Sequence, residues 1–238
     1  MVVSASGSVA RGGPQIIPRP KRWQPGGPAP WAHLTDRRLC IDSVVDAISG
    51  REPAGVRGSN PTGSEQKAAV LVGLYDEKNP CVVLTRRSQA MRSHTHEVSF
   101  PGGRVDPADG TLWATARREA FEEMGLETSH LQFLGRLDPH VTVGSHSIIH
   151  PFVAVFPGRP DLTPNPDEVE AIRHVPLGDL LEDDAWREER WETSLGSVTI
   201  TFFELAGDTV WGATAAMLRQ LLALSLGVTD EGYVQNDG

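Results

Sequence analysis

Residues 102–126, GGRVDPADGTLWATARREAFEEMGL, constrain this chain more than any other stretch. A glycine pair, a turn-rich loop and a run of helix formers ending at Gly125 read as a loop, a helix over 111–124 and a stop. Trp113, Ala116, Ala120 and Met124 recur at spacings of three or four, which makes one apolar stripe. Residues four apart on a helix differ by only about 40°, so Glu119 and Glu123 share a face and Glu122 lies beside them. Arg118 and Glu122 are also four apart and can pair. Three carboxylates therefore crowd near a helix C-terminus, where the helix dipole is already negative. One reading is a solvated charged face. The other is a seat for a divalent cation, because Mg²⁺ takes oxygen from carboxylates, carbonyls, waters and substrate phosphates. The pair Gly102–Gly103 just upstream favours the second reading. Without side chains, its carbonyls can approach a metal and its N–H groups a phosphate.

Around this stretch the chain alternates strands and helices, which predicts an α/β layered fold. The apolar runs AAVLVGLY (68–75) and CVVLTRR (81–87), separated by DEKNP, read as two strands joined by a loop. Further strands are expected at 131–137, 148–156 and 198–205, a helical turn at 175–183, and a strong helix at 213–226 ended by Gly227. Residues 1–30 are rich in Gly, Pro and Ser and carry Arg11, Arg19, Lys21 and Arg22 with no acidic residue, so they read as a disordered or loosely docked arm. A short helix is expected over 33–48, capped by Thr35 or Asp36 and stopped at Gly50. The expected division is an arm at 1–64 that contains this helix, a main domain at 65–227 and a flexible tail at 228–238.

The net charge of −9 argues against nonspecific binding to nucleic acid, although a local basic cluster can still hold a phosphorylated small molecule. Arg86, Arg87 and Arg92 form such a cluster, read either as a solvated loop or as a grip on phosphate. The two cysteines, Cys40 and Cys81, are far apart and in no CxxC pattern, which fits a reducing compartment. No apolar run approaches a membrane span and no secretory signal is evident, so a cytoplasmic location is expected; an organellar transit peptide is the less favoured reading of the Arg-bearing start.

The stretch 102–126 resembles the Nudix box, a glycine followed at fixed distance by Arg-Glu-U-x-Glu-Glu-x-Gly-U, where U is aliphatic. Arg118, Glu119, Ala120, Glu122, Glu123, Gly125 and Leu126 fill those places. The loop is one residue longer than the general pattern, and its acidic residue is Asp109 rather than Glu. The stretch LTRRSQAMRSHTHEVSFPGG (84–103) is similar to the coenzyme A diphosphatase branch of the Nudix hydrolases, through Leu84, Thr85, Arg87, Ser88, Arg92, Phe100, Pro101, Gly102 and Gly103. VWGATA (210–215) also resembles that branch, whereas His96 stands where the branch usually has glycine.

The resemblance covers about residues 65–227 and implies an α/β/α sandwich around a mixed β-sheet, with the box as a loop-helix-loop. It implies Mg²⁺- or Mn²⁺-dependent hydrolysis of a nucleoside diphosphate derivative. For coenzyme A or its thioesters the products are 3′,5′-ADP and 4′-phosphopantetheine or its acyl form. Carried onto this chain, the metal ligands are Glu119, Glu123, Glu122 and the Gly103 backbone. The catalytic candidates are Glu119, Glu122 and Arg118, with Glu119 first as the base. Arg87, Arg92, Gly102 and Glu168 are the candidates for substrate contact; Glu168 lies in NPDEVEAI (165–172), which otherwise reads as a turn. Other diphosphates, such as ADP-ribose or dinucleotides, are the alternative substrates. A nucleotide-sensing module is disfavoured, because all three helix glutamates are intact and the span after 227 is too short for a second domain. His140, His146 and His150 fit no common zinc spacing. His94 and His96 lie in the loop before the glycine pair and read either as packing or as substrate contacts. The Leu-rich helix 217–226 reads as core or as a homodimer face.

Overall fold

The run at 68–75 has no polar alternation because both of its faces are covered. In the computed structural model, which describes residues 11–59, 61–89, 96–142, 146–193 and 196–230, it forms the centre of the main sheet. In chain order the elements are β1 (Trp23–Pro25), α1 (Ile41–Ile48), β2 (Arg57–Gly58), β3 (Gln66–Asp76), β4 (Pro80–Arg87), β5 (Val98–Ser99), β6 (Gly102–Arg104) and α2 (Leu112–Met124). They continue with β7 (Gln132–Arg136), β8 (His140–Val141), β9 (Ser147–Val155), β10 (Val169–Pro176), α3 (Leu177–Leu180), β11 (Trp186–Thr193), β12 (Gly196–Leu205), β13 (Asp208–Trp211) and α4 (Gly212–Ser225).

The main sheet runs β10-β4-β3-β9-β8-β2 and is mixed, with β3 parallel to β9 and antiparallel to β4. Side chains alternate along β3, so Ala69, Leu71 and Tyr75 face α2 with its stripe Ala116, Ala120 and Met124. Val70, Val72 and Leu74 face the other way, into a core shared with α1, α4 and Phe203 of a second sheet. That second sheet, β1-β11-β12-β13, is antiparallel throughout. Layers on both faces of the main sheet give the expected α/β/α arrangement.

Two boundaries differ from the sequence reading. The first is the arm. Trp31 is fully buried and stacks on Phe203, and Trp186 meets it edge-on. Upstream, β1 pairs with β11, and Arg19 grips the buried Glu189. Residues 11–31 are therefore part of the fold. Their composition lacks apolar periodicity because they dock through single anchors, not through a repeating face.

The second is the tail. Asp230 is an ion-pair partner of both Arg57 and Arg219, so the chain stays docked at least to that residue. The first helix also begins later than expected, at Ile41, with Cys40 as its cap residue. Arg37 donates to the carbonyls of Ala32, Leu34 and Leu181 and holds the preceding segment in a non-helical path, while Asp36 bonds Arg38 in place of capping. Gly50, in the left-handed region, ends the helix as expected.

Asp138, buried just after β7, ties these outer segments to the sheet. It accepts from Arg51, Arg57, the Ala54 amide and Gln220. Burial pushes its carboxyl up, but the hydrogen bonds from Arg57 and Arg51 outweigh that and hold it down at about 2. Asp138→Ala would remove the shared acceptor of two partly buried arginines, the Ala54 amide and Gln220, although Arg57 keeps Asp230, and is expected to cost about 2–3 kcal/mol in urea denaturation at pH 7. A depressed folded pKa gives stability that is present above the ordinary value of 3.8 and lost as pH falls toward 2. The wild-type and variant curves should therefore converge in acid, and an unchanged gap at pH 2 would contradict this role.

Candidate active site

Strand β4 leaves β3 after the pair Leu74↔Val82, and β5 and β6 fill the opening; β6 takes over the edge of β3 with Ala69↔Gly103 and Val70↔Gly102. The end of β4 therefore lies beside the glycine pair. Alternation along β4 sends Cys81 and Val83 to the α2 side, and with them Thr85 and Arg87. Val82 and Leu84 point to the other core, and Arg86 follows them to bond Glu170 and Asp208.

On the α2 side Thr85 Oγ1 donates to Glu123 Oε2 at 3.3 Å. Glu123 is 4 % exposed and has no ion-pair partner among the described residues. Burial, and next the charge of Glu119, push its carboxyl up to about 8. The Gly102 amide and the positive charge of Arg87 act in the opposite direction without cancelling this. Glu119 is also raised, mainly by burial, with Arg118 opposing. A Cβ on Gly103 would lie 2.5 Å from the Glu119 carboxylate, so any side chain there would push that carboxylate out of its present position.

Arg118 is clasped from several sides. Asp109 receives its Nε at 2.7 Å and its Nη2 at 3.1 Å, Glu122 receives Nη1 at 2.8 Å, and Glu119 lies 2.9 Å from Nη1. Asp109 also accepts from Thr115 Oγ1 and from the Asp106 amide. The Arg118 guanidinium holds the Asp109 carboxyl well below the usual range. The longer loop thus still places an acid against Arg118, and Arg118 fixes the face that carries Glu119.

Beyond the helix, Gly125 takes the left-handed conformation and the chain turns back. The amides of Thr163 and Asn165 then bond the Met124 and Glu123 carbonyls, which satisfies the helix end. This docking brings the 165–168 turn to the site. The charge of Glu168 acts on Glu119, and its carbonyl accepts the Ser88 amide at 2.8 Å.

A model of the Nudix domain matches residues 65–194. The chain belongs to the Nudix family. It is 35% identical over 158 residues to a protein of Photorhabdus laumondii named "uncharacterized Nudix hydrolase NudL", a match covering 66% of this chain and 84% of the relative. A protein of the same name from Yersinia enterocolitica is 34% identical, over 65% of this chain and 78% of its own length. A crystal structure of a Nudix hydrolase from M. smegmatis, RenU, aligns with TM-score 0.42 and 22% identity over 49% of this chain and 74% of that one.

The protein is thus a Nudix hydrolase with the expected α/β fold, and Nudix hydrolases use divalent metal ions. Among the described residues, no three His, Cys, Asp or Glu side chains converge as a ready-made metal cage. The Nudix helix offers the pair Glu119 and Glu123; Glu122 turns outward to Arg118 and is half exposed. Two adjacent carboxylates, one buried with no cation against it, form a donor set that suits a divalent ion.

The structure therefore brings together Glu119, Glu123, Gly102, Gly103, Arg87 and Glu168, with Arg118 and Glu122 at the margin. Arg92 and His94 lie outside the described residues. His96 is described and bonds Glu170, at Nδ1···Oε2 2.9 Å. The sequence reading left out Thr85 as a partner of Glu123, although counting by twos from Val83 to Arg87 passes through it. It noted Asp109 only as a departure in the Nudix box, not as the residue that holds Arg118.

Proposed function

We propose that this Nudix hydrolase cleaves the diphosphate bond of coenzyme A or its thioesters, giving 3′,5′-ADP and 4′-phosphopantetheine or its acyl derivative. The observation that carries this reading is Arg87. It points to the Glu123 side of β4, its Nε has no hydrogen-bond partner, and no described carboxylate pairs with it. An unused guanidinium beside the glycine pair suits a substrate with a phosphate beyond its diphosphate, which coenzyme A has and ADP-ribose lacks. The similarity of 84–103 to the coenzyme A branch supports the same choice.

Glu119 and Glu123 would hold Mg²⁺ or Mn²⁺, with the Gly103 backbone close by. When bound, such an ion neutralises phosphate charge and lowers the pKa of a coordinated water. Arg118 keeps Glu119 on the inward face, and Gly102 and Gly103 let β6 lie close against β3 and the Glu119 carboxylate. Glu119 is our first choice to accept the proton of the attacking water, with Glu168 across the site. Incubating the protein with Mg²⁺ and coenzyme A, dephospho-coenzyme A, ADP-ribose and dinucleotides, with products identified by mass, tests this. The highest kcat/KM is expected for coenzyme A or a thioester; preference for ADP-ribose would overturn the substrate assignment.

Arg87→Ala sharpens the test. A hydrogen bond to a charged group contributes about 1.5–3 kcal/mol. Its loss is expected to lower kcat/KM for coenzyme A by about 10- to 150-fold and to spare dephospho-coenzyme A, which lacks the 3′-phosphate. Equal losses on both substrates would assign Arg87 to the shared diphosphate.

A further inference from the structure

We infer that Gln15, in the N-terminal segment, is a positioning residue for the substrate-binding end of β4. The inference rests on the Nudix site described above but not on coenzyme A as its substrate. The direction of Arg87 depends on its backbone. The Arg87 amide donates to the Glu97 carbonyl at 2.9 Å and its carbonyl accepts the His96 amide at 3.2 Å, while the Ser88 amide bonds Glu168. His96 therefore sets where Arg87 sits. It does so in the left-handed region, at φ 62, which non-glycine residues seldom adopt.

Two contacts from elsewhere hold His96 there. Its carbonyl accepts Gln15 Nε2 at 2.8 Å, and its ring bonds Glu170, which also receives Arg86 at 2.8 Å. Gln15 is 8 % exposed, and its amide is used at both ends. Nε2 also donates to Asp208 Oδ1 at 2.8 Å, and Oε1 accepts the Thr209 amide at 2.7 Å. Asp208 in turn binds Arg86 and Arg173. Gln15, Asp208 and Glu170 thus grip both sides of the turn. Through Asp208 and Glu170 they hold Arg86 on one face of β4; through His96 they hold the backbone that aims Arg87 at the other.

If Gln15 only anchored the arm, losing it would lower stability and leave kinetics of the folded protein unchanged. A positioning role separates KM from kcat, because it weakens substrate binding without touching Glu119 or Glu123. Gln15→Ala is expected to raise KM about 10-fold, with kcat within about 2-fold of wild type, on whichever diphosphate the wild type hydrolyses best. Arg19→Ala, which loosens the arm at Glu189, is expected to lower the Tm and leave KM unchanged. A second measurement needs no substrate. Amide hydrogen exchange at Arg87, Ser88 and His96 should accelerate in Gln15→Ala and not in Arg19→Ala. Wild-type exchange at these amides in Gln15→Ala, or equal KM changes in the two variants, would overturn the inference. A wild type that hydrolysed no diphosphate would instead sink the proposed function, and the exchange result would still decide the role of Gln15.

Discussion

Glu123→Gln is expected to abolish most turnover and at the same time stabilise the metal-free protein. The two effects have one cause. Glu123 is buried beside Glu119, with a hydroxyl, an amide and the charge of Arg87 to offset its own charge but no ion pair. Its folded-state pKa is raised from 4.5 to about 8, so the folded protein holds a proton that the unfolded chain releases. Stability from this group is present below 4.5 and lost as pH rises through about 8. Glutamine keeps the shape and removes that loss. It also removes a donor from the proposed cation site, and kcat should fall by at least about 100-fold, a barrier change of about 2.7 kcal/mol. Thermal melts at pH 8 without metal should place the variant above the wild type. Added Mg²⁺ should raise the wild-type Tm and move the variant less. Near wild-type turnover of Glu123→Gln in saturating Mg²⁺ would remove Glu123 from the metal site.

The second large effect is expected at Trp31. Its indole packs against both rings of the cross-strand pair Trp186 and Phe203, and lies with Phe203 in the main core. Trp31→Ala should cost about 3–5 kcal/mol. For a chain of this size that corresponds to a fall in Tm of about 6–20 °C. Removing residues 1–31 should cost at least as much, because the pairing of β1 and the Arg19–Glu189 contact go as well. A truncated protein melting within a degree or two of the full chain would show that the segment is dispensable. Such a result would restore the loosely docked arm that composition alone suggested.

The sequence by itself determined the Nudix helix and the strands that flank its loop. The stripe Ala116–Ala120–Met124, the Gly125 stop and the unbroken apolar runs of β3 and β4 are local patterns, so they survive without knowledge of any partner. The spacing of Glu119 and Glu123 likewise fixed their common face. Tertiary structure decided what no local pattern carries. The three glutamates look equivalent in sequence; only the packing of α2 against β6 and β4 buries Glu123, draws Glu119 to Gly103 and leaves Glu122 outside with Arg118. Arg86 and Arg87 look like one basic patch; strand alternation separates them, and Asp208, more than a hundred residues later, occupies only the first. The arm shows the same limit most clearly. Gln15 and Trp31 belong to the fold through partners beyond residue 180 and at His96, and contacts over such separations leave no periodic trace in the segment that makes them.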